Sequence, residues 1–229
     1  MKIQMLLYIV GYSLLYFILT TIFYFYSMAA GYNGLALPFF GGGDDGQFYY
    51  EQAINFINGT PYVYTSIHIW VLGIVLKIFN TENVMVLRLF NFTASILIVV
   101  MALLILKKIT SNKATYHIAV TLLTVMLAIY PSLVMNSTLS IYRDVWIYAF
   151  FLWSVYLFIN IFIQKGKWPI IINIILLIFA MGMLGGYRKY ALLSFLIGSM
   201  AFLIFKVLNK KKISLVKVLL LLITGVAIF

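Results

Sequence analysis

Long apolar runs separated by short polar segments dominate the chain. A helix rises about 1.5 Å per residue, so roughly 20 apolar residues cross a hydrocarbon core of about 30 Å. A shorter apolar run, Ser66–Phe79, contains His68, and we expect it to lie at the membrane surface. The pattern predicts an all-α, polytopic membrane protein with about seven transmembrane helices, namely Met5–Tyr26, Asn83–Leu106, Ala114–Leu133, Asp144–Ile163, Trp168–Gly185, Ala191–Leu208 and Ile213–Phe229.

The longest polar stretch follows the first apolar run. Three glycines and two aspartates precede an amphipathic segment with Phe48 and Tyr49, and Asn58-Gly59-Thr60-Pro61 ends it by ordinary turn chemistry. We therefore expect residues 28–82 to form an extracytoplasmic loop with interfacial, juxtamembrane helices, within a single membrane domain that covers residues 1–229.

The distribution of basic residues predicts the orientation. If Ser66–Phe79 does not span and the N-terminus is cytoplasmic, eleven lysines lie inside, whereas a spanning segment would put most of the basic charge outside. The positive-inside rule favours the first arrangement, with the C-terminus extracytoplasmic in the cell membrane. The inner lysines are Lys2, Lys107, Lys108, Lys113, Lys165, Lys167, Lys206, Lys210, Lys211, Lys212 and Lys217.

Composition narrows the function classes. The chain is 65% hydrophobic and 9% charged, and its net charge of +11 is explained by lysines that flank spans, so no nucleic-acid partner is expected. Without cysteine and with only two histidines, no dedicated metal site and no cofactor are expected. The predicted cytoplasmic face has no carboxylate, which disfavours nucleotide chemistry there. All five acids fall on the outer side, at Asp44, Asp45, Glu51, Glu82 and Asp144.

The paired aspartates are the first candidate site. Asp44 with Gln47 fits a helix-capping box, which accounts for one of the two acids. A second carboxylate beside a bilayer costs solvation energy unless it has a task, so Asp45 is the better candidate for a general base.

Outer cations form the other candidates. Arg143 and Asp144 open a span, where Asp144 either caps the helix or takes part in a site. Arg188 and Lys189 are basic residues on the predicted outer side, whereas most basic residues lie on the predicted inner side. They suit the binding of an anionic lipid phosphate, and the alternative is an ordinary solvated turn. Arg88, just inside a span near Glu82, is expected to pair with an outer acid.

The order of these residues resembles a known family, the membrane-embedded GT-C glycosyltransferases, and in particular the protein O-mannosyltransferase and lipid A aminoarabinose transferase group. The resemblance covers most of residues 1–165. It is carried by the D-x3-Y-x3-A pattern of Asp45, Tyr49 and Ala53, then by Pro61-Tyr62, Leu87-Arg88-Leu89, Tyr130-Pro131-Ser132 and Arg143-Asp144.

The resemblance implies a bacterial cell-envelope enzyme that takes a sugar from a polyprenyl-phosphate carrier on the extracytoplasmic side. Asp45 would then be the general base, assisted by Asp44. Substrate binding would fall to Tyr49, Arg88, Arg143, Asp144, Arg188 and Lys189. The implied partners are the lipid-linked sugar donor and membrane lipid. Some relatives depend on a divalent metal, and adjacent Asp44 and Asp45 do not decide whether this chain does.

Two departures from the family accompany the resemblance. Thr65-Ser66 stands where many relatives carry Lys-Pro or Pro-Pro, and the relatives have more spans and further outer domains. A truncated, split or minimal enzyme is therefore expected, with a possible protein partner that supplies the missing helices. The alternatives are a polysaccharide polymerase with a lipid-diphosphate donor and a non-catalytic flippase or assembly subunit. Charges at the ends of spans, rather than at the midplane, weigh against transport.

Overall fold

The computed structural model describes residues 2–35 and 45–208, and helices make up most of these residues. The described residues also include one π-helical turn, Met135–Leu139. The α-helices are α1 (Lys2–Ala29), α2 (Asp45–Ile57), α3 (Ile67–Phe79), α4 (Val84–Ile109), α5 (Lys113–Ile129), α6 (Pro131–Val134), α7 (Asp144–Ile163), α8 (Lys167–Tyr187) and α9 (Lys189–Leu208).

Among the described residues, four helices are long and apolar enough to cross a membrane, namely Ile3–Ala29 within α1, and α4, α7 and α8. A fifth span results if α5 and the segment Pro131–Leu139, bent by 58°, count as one. An all-α architecture with several candidate spans is thus confirmed, but seven spans are not. The predicted span Ala191–Leu208 falls in α9, whose apolar part, Lys189–Phe205, is shorter than the four candidate spans. The predicted span Ile213–Phe229 lies outside the described residues.

The fifth candidate span is broken at a proline. Tyr130 has an extended backbone (φ −65°, ψ 111°), as expected for a residue before proline, because the proline ring disfavours helical geometry there. Pro131 then starts a new helix, where its missing N–H costs nothing. The predicted span Ala114–Leu133 is therefore wrong at its end, because the helical path bends at Tyr130 and continues to Leu139.

The short helices α2 and α3 pack against each other through a close contact at Gly73. A Cβ atom there would lie 2.5 Å from the Phe56 ring and 3.3 Å from the Ala53 carbonyl oxygen, so only glycine fits without displacement. With 13 residues, α3 is about 20 Å long, too short to span. The buried core around the pair comprises Leu35, Tyr49, Ala53, Ile69, Leu72, Leu76, Val84, Leu87 and Ile141.

Asparagines set the ends of the helices near this core. Asn80 ends α3 in the left-handed conformation (φ 47°), which asparagine tolerates better than most residues. Asn83 then caps α4, its side-chain oxygen accepting from the Met85 N–H at 2.8 Å. The connection between α3 and α4 is therefore short and fixed at both ends.

The chain divides into two compact units, Met1–Ala149 and Phe150–Phe229. The first contains α1 to α6 and the start of α7. In the second, α8 packs against α9, and Phe158 has edge-to-face ring contacts with Phe195 and Phe202. Apart from Arg188 and Lys189, the predicted site residues fall in the first unit.

Candidate functional site

Tyr49 on α2 is the centre of the candidate site. Its side chain is 3% exposed, and its ring is perpendicular to that of His68, with the ring centroids 5.2 Å apart. On the same ring, the guanidinium carbon of Arg143 lies 5.8 Å from the centroid, within the range of a cation–π interaction. The structure thus brings together two predicted site residues, Tyr49 and Arg143, that are distant in sequence.

A carboxylate lies next to each of these residues along the chain. Asp45 is the first residue of α2, is exposed, and shares a helix side with Tyr49 because residues four apart are neighbours on a helix. Asp144 follows Arg143 in the first turn of α7 and is half-buried. The helix dipole favours a negative charge at both positions. Both predicted acids therefore occupy N-terminal turns of helices joined by the Tyr49–Arg143 contact.

The other predicted acids do not join this contact in the described part of the chain. Asp44, with its predicted capping box, lies outside the described residues. The Gln47 side chain accepts from Asn33 at 2.7 Å and donates to Glu51 at 2.8 Å. Both Glu51 and Glu82 are exposed, as expected of surface acids.

Arg88 is fully buried, which differs from the setting expected of a group that meets a lipid phosphate. Its guanidinium donates to the Thr20 carbonyl oxygen at 3.3 Å and to the Leu139 carbonyl oxygen. The main-chain carbonyl oxygen of Glu82 accepts from the Tyr50 hydroxyl at 2.9 Å. The predicted pairing of Arg88 with an outer acid stays a prediction. Arg88 thus ties α1 to the end of the π-helical turn, and its contact with a ligand stays a prediction.

Two further buried side chains bind carbonyls just after Leu139. His68 Nε2 lies 2.8 Å from the Ile141 carbonyl oxygen, and the Asn91 amide donates to the Tyr142 carbonyl oxygen at 2.9 Å. Since a carbonyl only accepts, His68 carries its proton on Nε2. The Asn91 side-chain oxygen accepts from the Trp146 indole at 3.0 Å. Residues 139–142, which we call the 139–142 segment, are thus held by side chains of α3 and α4.

Sequence reasoning missed this role of His68 and Asn91. Asn91 and Arg88 are three residues apart in an otherwise apolar run, so they share a helix face. Polar residues within a span usually face protein rather than lipid, and this spacing was the available signal.

Burial gives His68 an altered pKa. Removal from water lowers the pKa of His68 to about 4, the hydrogen bond to Ile141 opposes this shift, and the positive charge of Arg143 adds to it. Near neutral pH the imidazole is therefore uncharged, consistent with its single proton on Nε2.

Stability should consequently fall on acidification. Between the unfolded pKa of about 6.5 and the folded value of about 4, the unfolded chain binds a proton that the folded chain refuses. We expect a loss of about 3 kcal/mol across this window, levelling off below it. The measurement is the free energy of unfolding in mixed micelles at several pH values. His68→Gln keeps a donor but does not titrate, so an equal pH slope in this variant would contradict the assignment.

Arg188 and Lys189 lie in the second unit, where α8 meets α9. Arg188 is half-buried, with its guanidinium carbon 4.6 Å from the centroid of the Tyr190 ring. Lys189 is exposed and begins α9. Their predicted role in phosphate binding stays a prediction.

Among the described residues, no three His, Asp or Glu side chains are grouped so that they could hold a metal ion. Comparisons with protein-family models, curated proteins and solved structures find no match for this chain.

Proposed function

We propose that this chain is a glycosyltransferase that moves a sugar from a polyprenyl-phosphate carrier to a cell-envelope acceptor on the extracytoplasmic side. The observation that supports the proposal is the contact of Arg143 with Tyr49. Through it, the helix that begins with Asp45 is associated with the helix that begins with Asp144. An exposed carboxylate at the start of one helix and a cation directly before the other are the groups that such a transfer requires.

The proposed reaction is a single displacement with inversion. Asp45 accepts the proton of the acceptor hydroxyl, and the acceptor oxygen forms a bond to the anomeric carbon of the sugar. The bond from that carbon to the phosphate oxygen breaks, and the electron pair leaves with the polyprenyl phosphate. Arg143 stabilises the charge that develops on the phosphate.

Tyr49 and Asp144 have supporting roles in this scheme. The Tyr49 ring fixes the Arg143 guanidinium by the cation–π contact, which leaves the N–H groups of that side chain to meet phosphate oxygens. Asp144 in the first turn of α7 is the second acid, suited to hydrogen bonds with sugar hydroxyls.

The direct test is transfer by the purified protein in liposomes. Radiolabelled sugars on polyprenyl monophosphate and on polyprenyl diphosphate are supplied separately, together with cell-envelope acceptors. The proposal requires transfer from the monophosphate. Transfer from the diphosphate alone would favour a polymerase, and no transfer from either donor would favour a non-catalytic membrane protein.

The proposal also requires the predicted topology of seven spans with a cytoplasmic N-terminus. We expect a reporter fused after Lys113, at the start of α5, to be cytoplasmic, because this connection carries Lys107, Lys108 and Lys113. A reporter fused after Thr65 should lie outside and serves as the matched control. Protease protection or a compartment-specific enzyme reporter measures the side of each fusion. A cytoplasmic reporter after Thr65 and an external one after Lys113 would place Asp45 and Arg143 on the cytoplasmic side and contradict the proposal.

A further inference from the structure

We propose that His68 and Asn91 are positioning residues, which hold the 139–142 segment by its carbonyls and thereby set Arg143 against Tyr49. The catalytic consequence of this inference rests on the proposed function, whereas the geometry does not. Neither side chain contacts a substrate in this scheme, and both act through the main chain that precedes Arg143.

The carbonyls of this segment need donors from elsewhere. The chain leaves the π-helical turn at Leu139, and Ser140 is extended (φ −149°, ψ −170°), so no following helical turn satisfies these groups. Ser140 and Ile141 are fully buried, which keeps water from their carbonyls, and Leu139 and Tyr142 are half-buried. A buried carbonyl without a donor costs free energy, so the side chains of α3 and α4 fix the path of the segment.

His68 connects α3 to the 139–142 segment. Its ring packs edge-on against Tyr49, and its Nε2–H donates to the Ile141 carbonyl oxygen at 2.8 Å. The same imidazole therefore fixes the aromatic ring and the chain that carries Arg143. A shift of either partner would alter the 5.8 Å separation between Arg143 and the Tyr49 ring.

Asn91 connects the segment to α7. It donates to the Tyr142 carbonyl and accepts from the Trp146 indole, so one amide holds the residues on both sides of Arg143 and Asp144. Phe90 stacks on Trp146 with ring centroids 4.5 Å apart and supports this arrangement. A general packing role would require apolar bulk only, whereas these contacts require a donor and an acceptor at defined places.

The absence of cysteine allows a test that does not depend on sugar transfer. Ser140→Cys places a thiol in the buried segment, and Ser154→Cys places one at a fully buried position of the second unit. In each background we would measure labelling by N-ethylmaleimide, a small membrane-permeant reagent. His68→Met, which removes the hydrogen bond to Ile141, should speed labelling at position 140 about tenfold. Asn91→Leu, which removes the bonds to Tyr142 and from Trp146, should speed it at least as much, and both variants should leave position 154 unchanged.

Rescue distinguishes positioning from general packing. His68→Gln retains an N–H donor at similar reach and should restore protection at position 140, while His68→Met should not. Equal labelling in the Gln and Met variants, or simultaneous opening of positions 140 and 154, would overturn the inference.

In the transfer assay, His68→Met should raise the KM for the donor about tenfold with a smaller change in kcat, and His68→Gln should restore the wild-type KM. Wild-type protein inactive with every donor, but with the expected labelling pattern, would reject the transferase and retain the positioning contacts.

Discussion

Replacement of Asp45 by asparagine is expected to lower the rate of sugar transfer about 100-fold or more. General-base catalysis commonly contributes about 10²–10⁴-fold, and an amide of the same size accepts no proton at neutral pH. Asp45 is exposed at the start of α2, so the substitution should leave the fold intact. The measurement is kcat and KM for the polyprenyl-phosphate donor in liposomes, and we expect the fall in rate to appear in kcat.

Glu51→Gln is the matched control for this substitution. Glu51 is an exposed acid on the same helix, and it accepts a hydrogen bond from Gln47. The control variant should retain most of the wild-type rate. Transfer by the Asp45 variant at the wild-type rate would remove Asp45 from the chemistry, and an equal loss in both variants would indicate a change in α2 rather than a lost base.

Replacement of Arg88 by methionine should cost about 2–4 kcal/mol of stability. The apolar side chain leaves the buried carbonyl of Thr20 and the partly buried carbonyl of Leu139 without their donor, and each unsatisfied buried group costs about 1–3 kcal/mol. Denaturation in mixed micelles with rising fractions of dodecyl sulfate measures the loss. Arg88→Lys keeps the charge but loses the fork of donors. Its free energy of unfolding should lie between those of the wild type and Arg88→Met.

Lys77→Met provides the comparison at an exposed position, and it should change the free energy of unfolding by less than about 0.5 kcal/mol. A stable Arg88→Met protein would mean that the two carbonyls find other donors.

Apolar length alone predicts the long helices well. The predicted spans Asn83–Leu106 and Asp144–Ile163 agree closely with α4 and α7, because a bilayer allows few alternatives to a helix for an unbroken apolar run. The break at Tyr130 is less visible in the sequence, because the predicted span Ala114–Leu133 continues through Pro131. A proline there also starts a helix, and only the three-dimensional path shows which applies.

The candidate site was predicted residue by residue rather than as an arrangement. The sequence suggested Tyr49 and Arg143 separately, whereas their contact depends on how α2 meets the start of α7. The contacts of His68 and Asn91 could not be predicted because their partners are main-chain carbonyls. A carbonyl is present at every residue, so nothing in the amino-acid sequence marks which one accepts.

The long-range contacts of the 139–142 segment also bear on the order of biosynthesis. His68 and its partner are separated by 73 residues, and Arg88 reaches both 68 residues back and 51 residues forward. During translation, α2 and α3 therefore emerge well before the chain that completes their core. Until Ile141 has been synthesised, a polar imidazole and a guanidinium must be solvated elsewhere, and contacts between distant residues form late. We therefore expect α2 and α3 to become resistant to protease only after the start of α7 has been synthesised.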